Sequence, residues 1–213
     1  MTPGVHDALL VIDVQHDFVD GSVAIPDAAA IIPVVNRVSP LFRHVVFTLD
    51  WHPPGHVSFA SSHPGARSGD VVSVAYGEQS VHAQHCVQGQ PGARLHDALD
   101  LRAASMLLHK GCQRDIDSFS AFVENDRRTS TGLAAWLRER GVSRVFLAGL
   151  ALYGCVRMSA LDAIAAGFES VIIDDACRAR PSPRNDDYAR QFEAAGVARI
   201  ASARLVAASA AAA

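Results

Sequence analysis

The chain has 213 residues, 49% of them hydrophobic, which is enough for one sizeable α/β core. A formal net charge of −3 and a pI near 6.3 give no electrostatic reason to expect nucleic acid or a membrane surface as partner. The N-terminal stretch lacks a basic leader, Asp13 interrupts its apolar run, and no window approaches the roughly 20 apolar residues of a bilayer span, so a soluble, cytoplasmic protein is expected.

The first strand candidate is ALLVIDV (8–14), followed by a helix over 28–42 with Pro33 as an early-turn residue or kink. HVVFTLD (44–50) is the second strand. The stretch from about Trp51 to Leu101 carries many Gly, Pro, Ser and His residues with little periodicity, and structureless loops of that length are usually functional or disordered. SMLLHK (105–110) and RVFLAG (144–149) are further strands, flanking a helix over 131–141 that places Leu133, Trp136 and Leu137 on one face and stops at Gly141. A helix over 155–167, a strand at 170–175, a helix over 186–196 and a short strand at 198–201 complete the pattern. Short apolar strands separated by single helices imply right-handed crossovers. The expected fold is a three-layer α/β/α sandwich, Rossmann-like, around a mainly parallel sheet of five or six strands, spanning 1–213 as one domain.

In such a sheet ligands bind beyond the carboxyl ends of the strands. Asp13, Asp50 and Lys110 end three of the strands, and Cys155 follows a fourth by one turn. Two carboxylates, an amine and a thiol therefore gather at one edge, a pattern expected of an enzyme. Cys155 opens a helix, where unpaired backbone N–H groups and the macrodipole favour a thiolate and can serve as an oxyanion hole. Asp13 is a plausible base for it and Lys110 a fixed charge between them; taken singly, a strand-end cap and a surface amine are the bland alternatives.

Asp50, His52 and His56 fall within seven residues directly after a strand, and His85 can close the set. One carboxylate with neutral imidazoles suits a borderline divalent ion such as zinc, manganese or iron, although loop histidines are more often merely solvated. His6, His44, His63, His82, His96 and His109 are weaker ligand candidates and are read as solvated or packed. Cys86, Cys112 and Cys177 lack metal-ligand spacing and are expected to be buried, inert residues.

Five blocks in order resemble the nicotinamidase/pyrazinamidase group of the isochorismatase-like cysteine hydrolases: ALLVIDVQHDFVDGS (8–22), LDWHPPGHVSFASSHPG (49–65), HCVQGQPGARLH (85–96), HKGCQRDIDSFSAF (109–122) and AGL-x4-CV-x3-ALDA-x3-G (148–167). The resemblance implies a catalytic triad of Asp13, Lys110 and Cys155, an oxyanion hole from the backbone of Ala151 and Cys155, and one divalent metal held by Asp50, His52, His56 and His85. It further implies hydrolysis of nicotinamide, and of pyrazinamide, to the acid and ammonia through a thioester, in NAD salvage. By the same analogy the Leu150–Ala151 peptide is cis and Phe18 packs on the substrate ring. Homo-oligomers occur in this fold, but nothing in the chain locates an interface.

Two departures affect the pocket. Leu152 and Tyr153 stand where the family usually has Thr and Asp, and His82 stands where it often has Trp, so His82 and Tyr153 are expected to line the substrate site. They leave two alternatives open: a related amidase acting on an N-carbamoyl compound or maleamic acid, and a non-catalytic metal-binding relative.

Overall fold

The structure is a computed structural model that describes residues 2–205. Its centre is a parallel six-stranded sheet built from β1 (Asp7–Ile12), β2 (His44–Asp50), β5 (Met106–Lys110), β6 (Arg144–Leu150), β7 (Glu169–Arg178) and β8 (Ala198–Ile200). The order across the sheet is β5-β2-β1-β6-β7-β8. Counted by sheet strand alone this is 3-2-1-4-5-6, the doubly wound order whose direction reverses between the first and fourth strands. Here that reversal lies between β1 and β6, the strands that precede Asp13 and Cys155.

β1 is buried along its whole length, because both faces of the sheet are covered. Leu10 and Ile12 join one core cluster with Leu133 and Leu137 of α3 (Leu133–Glu139), Ala160 of α4 (Arg157–Ala165) and Phe192 of α5 (Asn185–Ala195). Leu9 and Val11 face the opposite cluster with Ile31 and with Val35 and Val38 of α2 (Ile32–Val38). The strand's two-residue period thus feeds two helical layers, and the expected α/β/α sandwich is what forms. No helix among the described residues is long and apolar enough to cross a membrane.

Several elements differ from the sequence reading. The helix expected over 28–42 is three pieces: a 3-10 turn at Ala28–Ile31, α2, and a second 3-10 turn at Ser39–Leu41. Pro33 and Pro40 each sit in the first turn of a new piece, where a missing N–H costs nothing, whereas Pro40 cannot continue α2. The helix expected from Cys155 begins at Arg157, preceded by a π-type turn over Leu152–Val156 that Gly154 breaks with non-helical angles. The long 51–101 stretch contains a small antiparallel hairpin, β3 (Val71–Val74) with β4 (Gly77–Ser80). A single helical turn, α1 (His16–Val19), follows β1.

Candidate active site

The chain leaves β1 through Asp13, whose φ of 49° turns it out of the strand. Its side chain is completely buried. Thr48 of β2 donates to Oδ1 at 2.5 Å, and the Lys110 ammonium lies 2.9 Å from Oδ2, an oxygen with no other hydrogen-bond partner. Lys110, equally buried at the end of β5, also donates to Asp50 Oδ1, to the Ser118 carbonyl at 2.9 Å and to Cys155 Sγ at 3.6 Å. Asp13, Asp50 and Cys155 each bring a reactive atom within 4.8 Å of the others. Four strands thus deliver the expected carboxylates, amine and thiol to one point.

One cation serves two carboxylates, and the balance shows in their acidities. Burial pushes the Asp13 carboxyl up to about 6, against the pull of Lys110. Burial also works against charge on Asp50, but Lys110 and then His52 outweigh it and hold that carboxyl well below the usual range. Lys110 pays for its own burial, yet Asp13 and Asp50 hold its ammonium well above the ordinary lysine value. Of the two carboxyls, Asp13 is therefore the more readily protonated. Burial drives the Cys155 thiol well above its usual value, with Lys110 opposing, so the resting group is a thiol that needs a base. The Leu150–Ala151 peptide preceding this turn is cis.

Asp50, His52 and His85, all buried, bring three donor atoms within 4.8 Å of one another. His52 Nδ1 faces the Gly111 carbonyl at 3.0 Å and His85 Nδ1 the Ala83 carbonyl at 2.8 Å, so backbone acceptors take the Nδ1 protons and leave each Nε2 bare. Asp50 Oδ2 lies 3.7 Å from His52 Nε2. A carboxylate and two imidazoles, each anchored from behind, are a donor set that fits zinc, iron or manganese. Gly111 is required here: its φ is +61°, and a Cβ would come within 2.6 Å of the His52 ring. His56 is placed differently. It stacks on His52 with centroids 4.1 Å apart, while its nitrogens lie 2.7 Å from Ser58 Oγ and 3.2 Å from the Ile116 carbonyl. Its donor atom groups with His52 and Asp117.

A cavity of about 590 Å³ opens over Cys155, Asp50 and His85. Phe18 lines it, edge-on to His85 at 5.5 Å, as does His82, 6.0 Å from His85, and burial pushes the pKa of the His82 imidazole below its usual value. Ala151 lines it as well. Tyr153 reaches the same wall, and its ring stacks on Phe192 and lies tilted against Tyr188 of α5, with centroids 6.1 and 6.0 Å away. Cys86 and Cys177 are buried with thiols pushed up, as inert residues would be, whereas Cys112 is exposed.

Some supporting residues carry no signal that the sequence reading used. Gln15 clamps the backbone of Asp50 from both sides, donating to its carbonyl and accepting from its N–H, both at 2.8 Å. Asp117 accepts from Gln79 Nε2 at 2.7 Å and borders the cavity behind the histidines. Gln15 lies two residues past Asp13, so its polar side chain in a buried strand exit was the available clue. Asp117 depends on a loop closure that no local pattern announces.

Residues 7–204 match the isochorismatase domain model. The chain belongs to the isochorismatase family. It is 45% identical over 201 residues to the nicotinamidase of Acinetobacter baylyi, covering 93% of this chain and 94% of that one. The solved structure of an Acinetobacter baumannii nicotinamidase/pyrazinamidase superposes with a TM-score of 0.92 at 39% identity, over 94% of this chain and 98% of that one. A Pyrococcus horikoshii pyrazinamidase, solved in complex with zinc, superposes with a TM-score of 0.76 at 30% identity, over 92% and 99%. This chain is a hydrolase of that group.

Proposed function

We propose that the chain is a metal-dependent nicotinamidase, converting nicotinamide to nicotinic acid and ammonia and accepting pyrazinamide, with Asp13, Lys110 and Cys155 as its catalytic residues. The observation that carries this reading is the meeting of the buried Asp13–Lys110–Cys155 cluster and the Asp50–His52–His85 donor set on one cavity.

The Asp13 carboxylate, beside the Lys110 ammonium, takes the thiol proton of Cys155, and the sulfur attacks the carboxamide carbon. Lys110 steadies the developing thiolate and the carboxylate that has to recover its charge. The backbone N–H groups of Ala151 and Cys155 hold the tetrahedral oxyanion. Collapse breaks the C–N bond, and the proton on Asp13 passes to the leaving nitrogen, releasing ammonia and leaving a thioester. Water, deprotonated by Asp13, then attacks the acyl carbon. The C–S bond breaks, the sulfur regains its proton, and the acid departs.

Asp50, His52 and His85 hold the divalent ion, zinc being the ion that the P. horikoshii relative carries, with His56 stacked behind His52. Bound there, the ion supplies a Lewis-acidic anchor for a ring nitrogen and places for ordered water. Phe18 and His82 flank the ring and orient the carboxamide toward Cys155. The product, a pyridine carboxylic acid, is a precursor for NAD salvage.

The test is ammonia release by metal-replete protein from nicotinamide, pyrazinamide, N-carbamoylsarcosine and maleamic acid. Nicotinamide turnover at kcat/KM above about 10⁴ M⁻¹s⁻¹, the lower end of ordinary enzymes, supports the reading. Cleavage of another amide alone would mean that Leu152, Tyr153 and His82 have re-aimed the pocket, and silence on all four would leave a non-catalytic metal-binding relative.

A further inference from the structure

A second cluster of metal-ligating side chains lies outside the catalytic cavity, where α1 meets the segment after His85. Gln15 and Leu95 form an antiparallel bridge, with the His16 N–H donating to the Arg94 carbonyl at 3.0 Å and the His96 N–H to the Val14 carbonyl at 2.9 Å. The two histidines therefore leave backbones already clamped together, and their rings sit 4.7 Å apart at 33°. Asp20, one helical turn after His16, reaches both: Oδ1 lies 3.1 Å from His16 Nδ1 and Oδ2 3.5 Å from His96 Nε2. Behind His16, Asp97 Oδ1 stands 3.6 Å from Nε2, a buried nitrogen with no hydrogen-bond partner. As hydrogen bonds, 3.5 and 3.6 Å are too long. Two rings share one carboxylate, and only the His16 Nδ1 contact is a good hydrogen bond.

We propose that His16, Asp20 and His96 form a second, non-catalytic site for a divalent transition-metal ion. Their donor atoms lie within 4.8 Å of one another. Zinc binds nitrogen and carboxylate oxygen at about 2.0–2.2 Å, so tetrahedral ligands stand roughly 3.4 Å apart. The 3.1 and 3.5 Å separations, one to each Asp20 oxygen, bracket that spacing. Ligation through His16 Nδ1 places the proton on Nε2, facing Asp97, and a carboxylate behind a ligating imidazole is the usual support for such a ring. His96 ligates through Nε2 and gives up the 3.2 Å contact in which its Nδ1 accepts from the Ala98 N–H. Two imidazoles and one carboxylate select zinc, cobalt, nickel or copper over magnesium or calcium, and solvent completes the shell on the exposed side of Asp20. Such an ion ties α1 to the 94–97 segment. α1 also carries Phe18 of the cavity wall and Asp17, whose carboxylate holds the Cys86 N–H at 2.7 Å, so the ion braces one wall without touching the reacting atoms.

The experiment is zinc titration of chelator-stripped protein by calorimetry, with bound zinc counted by elemental analysis after dialysis. Wild type is expected to bind one more zinc per chain than His96→Ala or His16→Ala, and to lose that increment of zinc-dependent thermal protection in either variant, with nicotinamide turnover unchanged. His85→Ala reports on the catalytic ion alone, so failure of that site and failure of this one are distinguishable. Asp20→Asn, an exposed and nearly isosteric change, gives the same reading if a histidine variant does not fold. Equal zinc stoichiometry in wild type, His16→Ala, His96→Ala and Asp20→Asn would overturn the proposal.

Discussion

Replacing Lys110 with methionine tests whether one buried amine holds the site together. The side chain is completely buried, as is Asp13, and Asp50 is only 4% exposed. At an effective dielectric near 20, the 2.9 Å contact with Asp13 is worth about 6 kcal/mol of gross attraction, with the Asp50 contact adding a comparable amount. Desolvating the ammonium consumes much of this. What remains after Lys110→Met is two carboxylates in the interior with no cation, and breaking a buried pair in that way costs about 3–5 kcal/mol. Against a typical total of about 5–15 kcal/mol, that is a large share. Urea unfolding of metal-free wild type and Lys110→Met is expected to show this deficit at neutral pH. The deficit should narrow as pH falls, because without Lys110 the buried Asp13 binds a proton more tightly folded than unfolded. Adding Asp13→Asn to Lys110→Met should recover part of the loss, a coupling that a double-mutant cycle measures directly. A deficit below about 1 kcal/mol, or no coupling, would refute the argument that the amine is the counter-charge of this core.

Other consequences concern turnover. Cys155→Ala is expected to abolish ammonia release while retaining the metal of Asp50, His52 and His85; activity within tenfold of wild type would remove the thioester route. With Asp13 as base and its carboxyl at about 6, kcat/KM should fall as pH drops below that value, since the protonated acid cannot accept the thiol proton. Thr48→Val removes the hydrogen bond that favours the Asp13 carboxylate, and should move this acid limb upward by about one pH unit; a limb near 4 in wild type, or no movement in the variant, contradicts the assignment. His82→Ala strips one ring from the substrate wall and should raise KM by up to about tenfold with little change in kcat, as steady-state kinetics will show.

What the sequence disclosed follows from how local the determinants are. β2 runs from His44 to Asp50 as expected, because a mainly apolar run, broken only by Thr48 and bounded by polar residues, is a purely local signal. Lys110 and Asp50 were readable for the same reason: each is the charged residue that ends a short, mainly apolar strand. The hairpin β3–β4 was not, since four residues per strand are too few for a two-residue period to stand out. α1 is a single turn with too little length to show helical spacing. His96 read as an ordinary loop histidine, because its relation to His16 and Asp20 depends on a bridge between residues 80 positions apart.

The same distinction explains why the reaction class is easier to infer than the substrate. Asp13, Lys110 and Cys155 hang from strand ends whose positions the sheet order sets, so placing the strands places the chemistry. The pocket wall has no such frame. Phe18 comes from a one-turn helix, His82 from a loop segment bridged to Phe59, and Tyr153 from an irregular turn whose ring is oriented by α5. Each depends on contacts made elsewhere, so Tyr153 reads in sequence only as a residue lining the substrate site. In the fold it becomes part of the packing between the nucleophile turn and α5. A Tyr153→Ala variant should therefore lose stability through the contact with Phe192 before it changes which amides are cleaved. If it instead switched preference among the four amides with unfolding unchanged, the ring would belong to the substrate site rather than to the core beside it.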